Sequence, residues 1–330
     1  MSSHPVVRLA VASLSAAVAV SAVAVAPSSA VPAAPAGKKV SQPASYQLPG
    51  DPEGSKFEGI GVSPNQRHYY VTEVTGGEIH RGRVGGTKAR EWKPAGADGR
   101  TTARGVTTDA QGRVYVAGGP NGIGNDNPDL WVYSKRGRLL AALKTGVDNA
   151  FLNDVAIGPD GAAYFTNSNA PQIFRVAKDR KGEWRVRTWV DAAETIATAE
   201  GFNLGGIVVS QDKRSLVVAQ GNVGRLWRVR FADRSVKRIR LGGASVVNAD
   251  GLVRRGNKLL VVRNFDKVLT TFELNRRSGR AELVSERPSD SDRVFTTAKL
   301  AHGRLLLVDS KFDEQVATPP YEVVVRRWRR

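Results

Sequence analysis

The amino-acid sequence predicts an all-β protein, a six-bladed β-propeller whose last blade is completed by a strand from the N-terminal side. A strand–turn–strand segment recurs six times along the chain at a regular spacing. Each copy alternates apolar and polar residues as strands do, and no 12-residue window carries a convincing helical stripe. A repeat length in the forties with about four strands per unit is typical of propeller blades.

Each repeated segment begins with a small or polar residue, continues as an alternating strand, turns, and ends in a more apolar strand. The third copy, NDVAIGPDGAAYFTNS, turns at Pro159-Asp160-Gly161. More polar stretches such as QIFRVAK and EWRVRTWV follow it and predict two outer strands. The six copies begin 45 to 52 residues apart, at Glu58, Arg104, Asn153, Gly205, Asp250 and Thr296.

The last unit is shorter than the others, because a single strand, YEVVVRR, follows the copy that begins at Thr296. The segment ASYQLPG, just before the first copy, has a suitable length for the missing outer strand. Such closure joins the first blade to the last and removes two open sheet edges. We therefore expect one propeller domain over residues 44–330.

The first thirty residues differ from the rest in composition. MSSHPVVR carries one positive charge, LAVASLSAAVAVSAVAVA carries none, and small residues suited to signal peptidase follow. This order predicts a secretory signal peptide over residues 1–30, with a transmembrane anchor as the alternative for an apolar run of this length. The Ala- and Ser-rich run favours the signal, a secreted protein and no membrane span after signal removal. Residues 31–43 predict a flexible Pro/Ala/Ser linker.

The chain has no cysteine and a formal net charge of +18. The absence of thiols excludes disulfides, thiolate catalysis and cysteine-rich metal sites. Basic residues are spread thinly and alternate with apolar ones in RLWRVRF and VVVRRWRR, which predicts strands with one basic, solvated face. We expect a monomer without a nucleic-acid partner. The charge favours an anionic cell-wall or polysaccharide surface as a partner.

The first residues of the six copies are expected to face the central channel, because the innermost strand of each blade begins near the axis. Glu58, Asn153 and Asp250 place two carboxylates and a carboxamide there, and these are donors that suit a hard cation such as Ca²⁺. Asn, Asp and Gly before strands also occur as turn and cap residues with backbone roles only. Three oxygen-bearing side chains at equivalent positions of separate copies favour a site.

The segments FEGIGVSPNQRHYYVTE, LNDVAIGPDGAAYFTNS and NADGLVRRGNKLLVVR, with the blade spacing, resemble the gluconolactonase/regucalcin family of six-bladed propellers over nearly the whole mature chain. In that family a Glu, an Asn and an Asp bind one divalent cation, members hydrolyse lactones, and many exported bacterial members have no established activity. The resemblance assigns the Glu to Glu58, the Asn-Asp segment to Asn153 and Asp154, and the Asp-Gly to Asp250 and Gly251.

Two positions depart from the family pattern. The family's other metal-binding Asn falls on Gly205 in NLGGIVV, and Asn203, two residues earlier but out of register, is the candidate replacement. The Arg that sugar-lactone members place two residues before the first Asn is Phe151 here. Both changes argue against a sugar lactone as the substrate. Gly205 also removes a side chain that binds the metal in the family.

The resemblance implies a divalent-cation-dependent hydrolase, with Ca²⁺ as the expected cofactor and a small-molecule lactone or ester as substrate. Asp250 would bind the cation and activate water. Arg104, Asp154 and Thr297 are candidate substrate-binding residues, and Arg104 either binds an anionic group or points outward into solvent.

A second hypothesis is a non-catalytic secreted propeller, a binding scaffold whose metal site has degenerated. Gly205 favours this scaffold, whereas the retained Glu58, Asn153 and Asp250 favour the hydrolase.

Overall fold

The structure, a computed structural model, describes residues 45–119 and 127–328. Within these ranges, six four-stranded antiparallel sheets are arranged in a ring. The molecule is therefore a six-bladed β-propeller, and the predicted fold is confirmed. The predicted signal peptide (1–30) and linker (31–43) lie outside the described residues and stay predictions.

The first five blades run in chain order from an inner strand at the axis to an outer strand at the rim, and in the sixth the N-terminal strand is the outermost. The first three blades comprise β2 (Phe57–Val62), β3 (His68–Glu73), β4 (Ile79–Arg83) and β5 (Ala89–Lys93); β6 (Val106–Thr108), β7 (Val114–Ala117), β8 (Leu130–Tyr133) and β9 (Leu139–Leu143); and β10 (Leu152–Ile157), β11 (Ala163–Asn167), β12 (Gln172–Lys178) and β13 (Trp184–Asp191). The last three comprise β14 (Leu204–Val209), β15 (Ser215–Gln220), β16 (Arg225–Arg230) and β17 (Val236–Arg238); β18 (Ala249–Arg255), β19 (Lys258–Arg263), β20 (Val268–Leu274) and β21 (Ala281–Pro288); and β22 (Phe295–Ala301), β23 (Arg304–Asp309), β24 (Glu322–Arg327) and β1 (Ser45–Gln47).

The N-terminal strand β1 closes the sixth blade, as the sequence predicts. It pairs antiparallel with β24, with Tyr46 opposite Val323. The Ser45 hydroxyl donates a hydrogen bond of 2.6 Å to Glu322 Oε1, and the Tyr46 ring stacks on Tyr69 of blade 1 with 5.1 Å between ring centroids. The closing strand thus contacts both the last blade and the first.

The core lies between neighbouring blades. Strand β15 is buried along its whole length, and its successive side chains point to opposite faces of the sheet. Leu216 and Val218 pack with Trp189 of blade 3, whereas Val217 packs with Leu259 of blade 5. One short apolar run therefore supplies the packing for two interfaces, which explains why the second strands are so uniformly apolar.

A β-bulge interrupts the innermost strand in five blades, at the positions that face the axis. In blade 1, Phe57 pairs with Glu73 and Ile60 with Val71, so β2 has one more residue than β3 over this interval. The same register shift recurs in the third to sixth blades. A bulge bends the strand and redirects its side chains. The polar residues predicted to begin the inner strands are consequently held inside them, at the bulge.

Helical structure in the described ranges consists of one 3₁₀ turn, Ala97–Gly99. The segment DAAETIATAE, the best local candidate for a helix in the sequence, forms turns instead. Its Ile196 amide donates a hydrogen bond of 2.8 Å to the Ala192 carbonyl, and both side chains are buried against the blade 3–blade 4 core. Tertiary burial of these two residues thus overrides the weak helical propensity.

No described residue belongs to a helix that is both long and apolar enough to cross a membrane.

Asp309, the last residue of β23, is a buried carboxylate. It is 1% exposed, and the nearest cations are Lys311 Nζ at 3.5 Å and Arg293 Nε at 3.8 Å. Burial raises the pKa of Asp309 to about 6, although Lys311 and Arg293 act in the opposite direction. The ionised carboxylate therefore costs stability at neutral pH.

We expect Asp309→Asn to stabilise the protein at pH 7.5 by about 1–3 kcal/mol and progressively less toward pH 4.5. Because the pKa is higher in the folded state, the folded protein binds more protons than the unfolded chain between the ordinary pKa of aspartate and about pH 6. The contribution of Asp309 to the stability of the wild-type protein is therefore lost as the pH rises through that window. Thermal melts from pH 4.5 to 8 measure the difference. The exposed Asp292→Asn is the control. A difference in melting temperature between Asp309→Asn and wild type that does not change with pH would contradict the expectation.

Candidate active site at the channel mouth

A cavity of about 440 Å³ opens at the end of the channel where the innermost strands begin. Its lining includes Glu58, Arg104, Asn153, Gly205 and Asp250, five of the six positions that the repeat places around the axis. The repeat therefore identifies residues that are far apart in sequence and share one cavity. A larger cleft of about 710 Å³ lies among turns of blades 4 and 5, at the opposite face, and contains none of these residues.

Glu58, Asn153 and Asp250 are each the second residue of an innermost strand, at the bulge. Asn153 Nδ2 donates a long hydrogen bond of 3.5 Å to Glu58 Oε1. Asp250 Oδ2 accepts a hydrogen bond of 2.9 Å from Asn264 Nδ2. The two carboxylates and the carboxamide thus present their oxygens from three separate blades.

Burial raises the pKa of both axial carboxyl groups. For Glu58 the negative charge of Asp250 adds to the effect of burial, while Arg104 opposes it. For Asp250 the hydrogen bond from Asn264 opposes the effect of burial, and the charge of Asp154 adds to it. Two axial carboxyl groups, with the charge of Asp154 nearby, are therefore opposed by one guanidinium group, an arrangement that a bound divalent cation would stabilise.

The donor set suits Ca²⁺. Glu58 and Asp250 supply carboxylate oxygens, and Asn153 directs its Nδ2 toward Glu58. Its Oδ1 faces Gly205, 3.7 Å from the position that a Cβ atom on that glycine would occupy. Hard cations bind such oxygens and complete their coordination with water. The residues present therefore fit a divalent cation with three protein ligands.

Gly205 leaves open space at the fourth ring position. A Cβ atom there would lie 3.6 Å from the Asp250 carbonyl oxygen, which is an ordinary van der Waals distance. At the neighbouring Gly206, in contrast, a Cβ atom would overlap the same carbonyl oxygen and lie 2.7 Å from the Leu252 amide nitrogen. The backbones of β14 and β18 approach each other closely at Gly206, whereas Gly205 faces the cavity.

We expect Gly206→Ala to lower the free energy of unfolding by about 2 kcal/mol or more, since the clash is with backbone that cannot move aside. The adjacent Gly205→Ala is the matched control, and its free energy of unfolding should lie within about 0.5 kcal/mol of the wild-type value. Chemical denaturation of the three proteins measures the difference. Equal stability of the two variants would show that the strands separate at Gly206 without cost.

Arg104 is buried in the cavity wall, which excludes the predicted alternative of an outward, solvated side chain. It is 1% exposed, and its Nη1 donates a hydrogen bond of 2.6 Å to the Gly118 carbonyl. Its Cζ atom lies 3.5 Å from the centroid of the Phe151 ring. Nη2 is buried and has no hydrogen-bond partner. Burial lowers the pKa of Arg104 to about 10, with Glu58 opposing, so the side chain stays charged and keeps one free donor.

Asp154 and Thr297 lie one residue beyond the ring and are not among the residues that line the cavity. Asp154 Oδ2 accepts a hydrogen bond of 3.2 Å from the Ile207 amide, so its carboxylate ties blade 3 to blade 4. In blade 6 the strand register places Thr296 at the ring, where its hydroxyl donates a hydrogen bond of 2.8 Å to the Glu58 carbonyl. The ring residue of this blade is therefore Thr296, where the sixth copy begins, and the candidate substrate-binding residue Thr297 lies one residue beyond it.

Asn203 uses its carboxamide within its own loop. Its Oδ1 accepts a hydrogen bond of 2.9 Å from the Ala199 amide, and its Nδ2 donates a hydrogen bond of 3.0 Å to the Ala199 carbonyl. Gln220 and Asn222 also donate to Oδ1. With its oxygen occupied by three donors, Asn203 does not replace the family's asparagine, and it is a loop-stabilising residue.

Two features of the cavity escaped the sequence analysis. Asn264 orients Asp250, and it follows the second strand of its blade, where Val74, Ser168 and Gly221 of other blades also line the cavity. Four phenylalanines also line the cavity, namely Phe151, Phe202, Phe265 and Phe312. Extending the repeat to the ends of the second strands would have found Asn264. The phenylalanines lie on loops outside the repeat.

No family model matches the chain, and no curated protein is similar to it in sequence. Solved structures are similar to it in fold. A gluconolactonase from Xanthomonas campestris is 15% identical with a TM-score of 0.57, over 83% of this chain and 86% of that chain. A virginiamycin B lyase from Staphylococcus aureus is 14% identical with a TM-score of 0.56, over 80% of each chain. A protein of unknown function from Desulfotomaculum acetoxidans is 12% identical with a TM-score of 0.54, over 82% of this chain and 89% of that chain.

At these identities the comparisons show the propeller fold alone. Proteins with this fold include a gluconolactonase, a lyase and a protein without known function, so the fold does not decide the activity, and membership of the gluconolactonase/regucalcin family stays a prediction.

Proposed function

We propose that this protein is a divalent-cation-dependent hydrolase that opens a lactone or cleaves an ester at the channel mouth. The observation that carries the proposal is the placement of Glu58, Asn153 and Asp250, from three blades, around one cavity with their oxygens available. Structural similarity to a gluconolactonase is consistent with it. Ca²⁺ is the cation that the donor set favours.

A cation bound by Glu58, Asn153 and Asp250 would polarise the carbonyl group of the substrate. Asp250 is the residue proposed to accept a proton from the attacking water. Its raised pKa brings it closer to neutral pH, where a carboxylate is a more effective base. Asn264 holds Asp250 through Oδ2 and leaves Oδ1 for the proton. Arg104 lines the cavity and has a buried Nη2 without a hydrogen-bond partner, so its guanidinium group is the one proposed to bind the carboxylate product or a negatively charged substituent.

The phenylalanines indicate a substrate with an apolar substituent. Phe202 is 61% exposed and Phe265 56% exposed, and the rings of Phe151 and Phe202 lie 4.8 Å apart. Exposed aromatic side chains beside a cavity with a polar floor are typical of a site that binds a partly apolar ligand. We therefore favour alkyl or aryl lactones and esters over sugar lactones, because the phenylalanine rings offer no hydrogen-bond partner to the hydroxyl groups of a sugar.

Calcium titration followed by thermal melting tests the metal site first. Specific binding raises the melting temperature with calcium concentration by mass action. Magnesium at equal ionic strength is the control for nonspecific screening. A melting temperature that does not respond to calcium would argue against the site.

Hydrolysis of a lactone panel tests the chemistry. We expect γ-lactones with alkyl chains to be hydrolysed with a higher kcat/KM than gluconolactone, and chelation to abolish the activity. Phe202→Ser should lower kcat/KM for the alkyl lactone by about tenfold and leave that for unsubstituted γ-butyrolactone unchanged. An equal loss on both substrates would contradict an apolar substituent site.

The second candidate, a binding scaffold with a degenerate metal site, is favoured by Gly205, since the fourth ring position offers no ligand atom. Calcium binding without hydrolysis of any lactone or ester would support this scaffold, and absence of both would support it more strongly.

A further inference from the structure

A second group of carboxylates lies outside the lining of the axial cavity, where the N-terminal segment meets blade 1. Asp51 follows β1 in the chain, Glu73 ends β3, and Glu78 precedes β4. One carboxylate oxygen of each lies within 4.8 Å of those of the other two. The tight Gly76-Gly77 turn returns the chain so that Glu73 and Glu78, five residues apart, meet at this place.

Burial makes this arrangement unusual for surface acids. Glu73 is 1% exposed and Glu78 is 4% exposed. Glu73 has partners, since Thr75 donates a hydrogen bond of 2.5 Å to its Oε1 and His80 Nε2 lies 3.0 Å from its Oε2. Among the described residues, the contact of His80 with Glu73 is the one ion pair that involves Asp51, Glu73 or Glu78.

The Oε2 atom of Glu78 is a separate observation that points to a ligand. It is buried, accepts no hydrogen bond from the described residues, and belongs to the carboxylate that meets Asp51 and Glu73. A buried carboxylate oxygen without a donor costs stability unless a cation or a proton satisfies it. The neighbouring charges of Glu73 and Asp51 add to the effect of burial and raise the pKa of Glu78.

We propose that Asp51, Glu73 and Glu78 form a second divalent-cation site, with calcium as the ion that three carboxylate groups would favour. Glu73 is held in place by Thr75 and His80, as metal-binding carboxylates commonly are by their own hydrogen bonds. Because Asp51 belongs to the segment that follows the closing strand β1, the cation joins this segment to blade 1. The site is structural, and it does not depend on the proposed hydrolase activity.

The ion would stabilise the closure of the propeller. The segment from Asp51 to Ser55 contacts Tyr321 of blade 6, whose hydroxyl accepts a hydrogen bond of 3.2 Å from the Ser55 amide. A cation between Asp51 and the two glutamates therefore connects the first blade, the N-terminal segment and the last blade. Loss of the ion should loosen the N-terminal segment first, since few other contacts fix Asp51, which is exposed.

Calcium calorimetry on variants tests this proposal independently of the axial site. Asp250→Asn removes a proposed axial ligand and should still bind one calcium ion per chain, with a Kd of about 10⁻⁴–10⁻³ M as in extracellular modules. Adding Glu78→Gln to Asp250→Asn should abolish that binding. Glu78→Gln alone should leave lactone hydrolysis unchanged. The matched control is Glu53→Gln, an exposed acid of the same segment, which should bind calcium like wild type.

A second readout follows the N-terminal segment itself. Calcium should slow hydrogen exchange over residues 48–56 in the Asp250→Asn protein by at least tenfold and have no effect in the double variant. The proposal is overturned if Asp250→Asn binds no calcium up to 10-fold above that Kd range. It is also overturned if the double variant, Glu78→Gln in the Asp250→Asn protein, binds calcium as Asp250→Asn does, because Asp51, Glu73 and Glu78 would then be neutralised by a shared proton.

Discussion

Asp250→Asn is expected to lower kcat/KM for a lactone by about 10³-fold, within the range that a lost general base produces. The substitution removes the proposed proton acceptor and one of two anionic ligands while keeping the shape of the side chain. We also expect calcium affinity at the axis to fall by tenfold or more. Initial-rate kinetics and calorimetry on the purified variant measure both effects.

The stability of the metal-free Asp250→Asn protein separates a functional role from a structural one. Burial raises the pKa of Asp250, so its ionised form destabilises the metal-free fold. The metal-free variant should therefore melt at the same temperature as wild type or higher. The exposed Asp148→Asn is the control for kinetics and melting. Retained activity in Asp250→Asn, or activity lost together with a lower melting temperature, would count against Asp250 as the base.

Gly205→Asn is expected to raise calcium affinity at the axis by about tenfold or more, equivalent to about 1.4 kcal/mol. The position has room for a side chain, and the backbone there does not require glycine. Its Cβ atom would lie 3.7 Å from Asn153 Oδ1, so a carboxamide oxygen at this place can join the same ion. Calorimetry on wild type, Gly205→Asn and Gly205→Ala measures the gain.

Gly205→Ala separates an added ligand from a filled cavity, because it adds the Cβ atom without the oxygen. It should bind calcium as wild type does. Equal affinities of the asparagine and alanine variants would show that the new oxygen does not reach the ion. Calcium binding at the axis by Gly205→Asn but not by wild type would support the binding-scaffold hypothesis, since the loss of a single ligand would then have inactivated the site.

Much of the fold and part of the site follow from the sequence because a propeller is built from local units. The repeat spacing, the apolar second strands and the short last unit each reflect packing between neighbouring blades, and all three predictions are confirmed. The same repeat places Glu58, Asn153 and Asp250 around one axis, since equivalent residues of equivalent blades occupy equivalent positions.

The predictions that needed register or loop contacts were less accurate. Thr297 was a candidate substrate-binding residue, but the bulge in β22 places Thr296 at the ring and Thr297 one residue beyond it. Asn203 was a candidate ligand, but its carboxamide bonds to Ala199. The alternative of an exposed Arg104 is wrong, because Phe151 and the Gly118 carbonyl hold the guanidinium inside the cavity. One residue of register and one loop conformation decide such cases, and neither leaves a pattern in the sequence.

The sequence by itself determined the number of blades, the closing strand and the identity of the axial residues, because hydrophobic periodicity and repeat length are local properties. Only the tertiary structure decided which oxygens are free. Glu78 meets Asp51 across the junction between blade 1 and the closing segment, and Asn264 meets Asp250 across one blade. These contacts depend on the twist, bulges and loops that close a ring of six sheets, so the distance between two side chains is set by the whole circle rather than by their spacing along the chain.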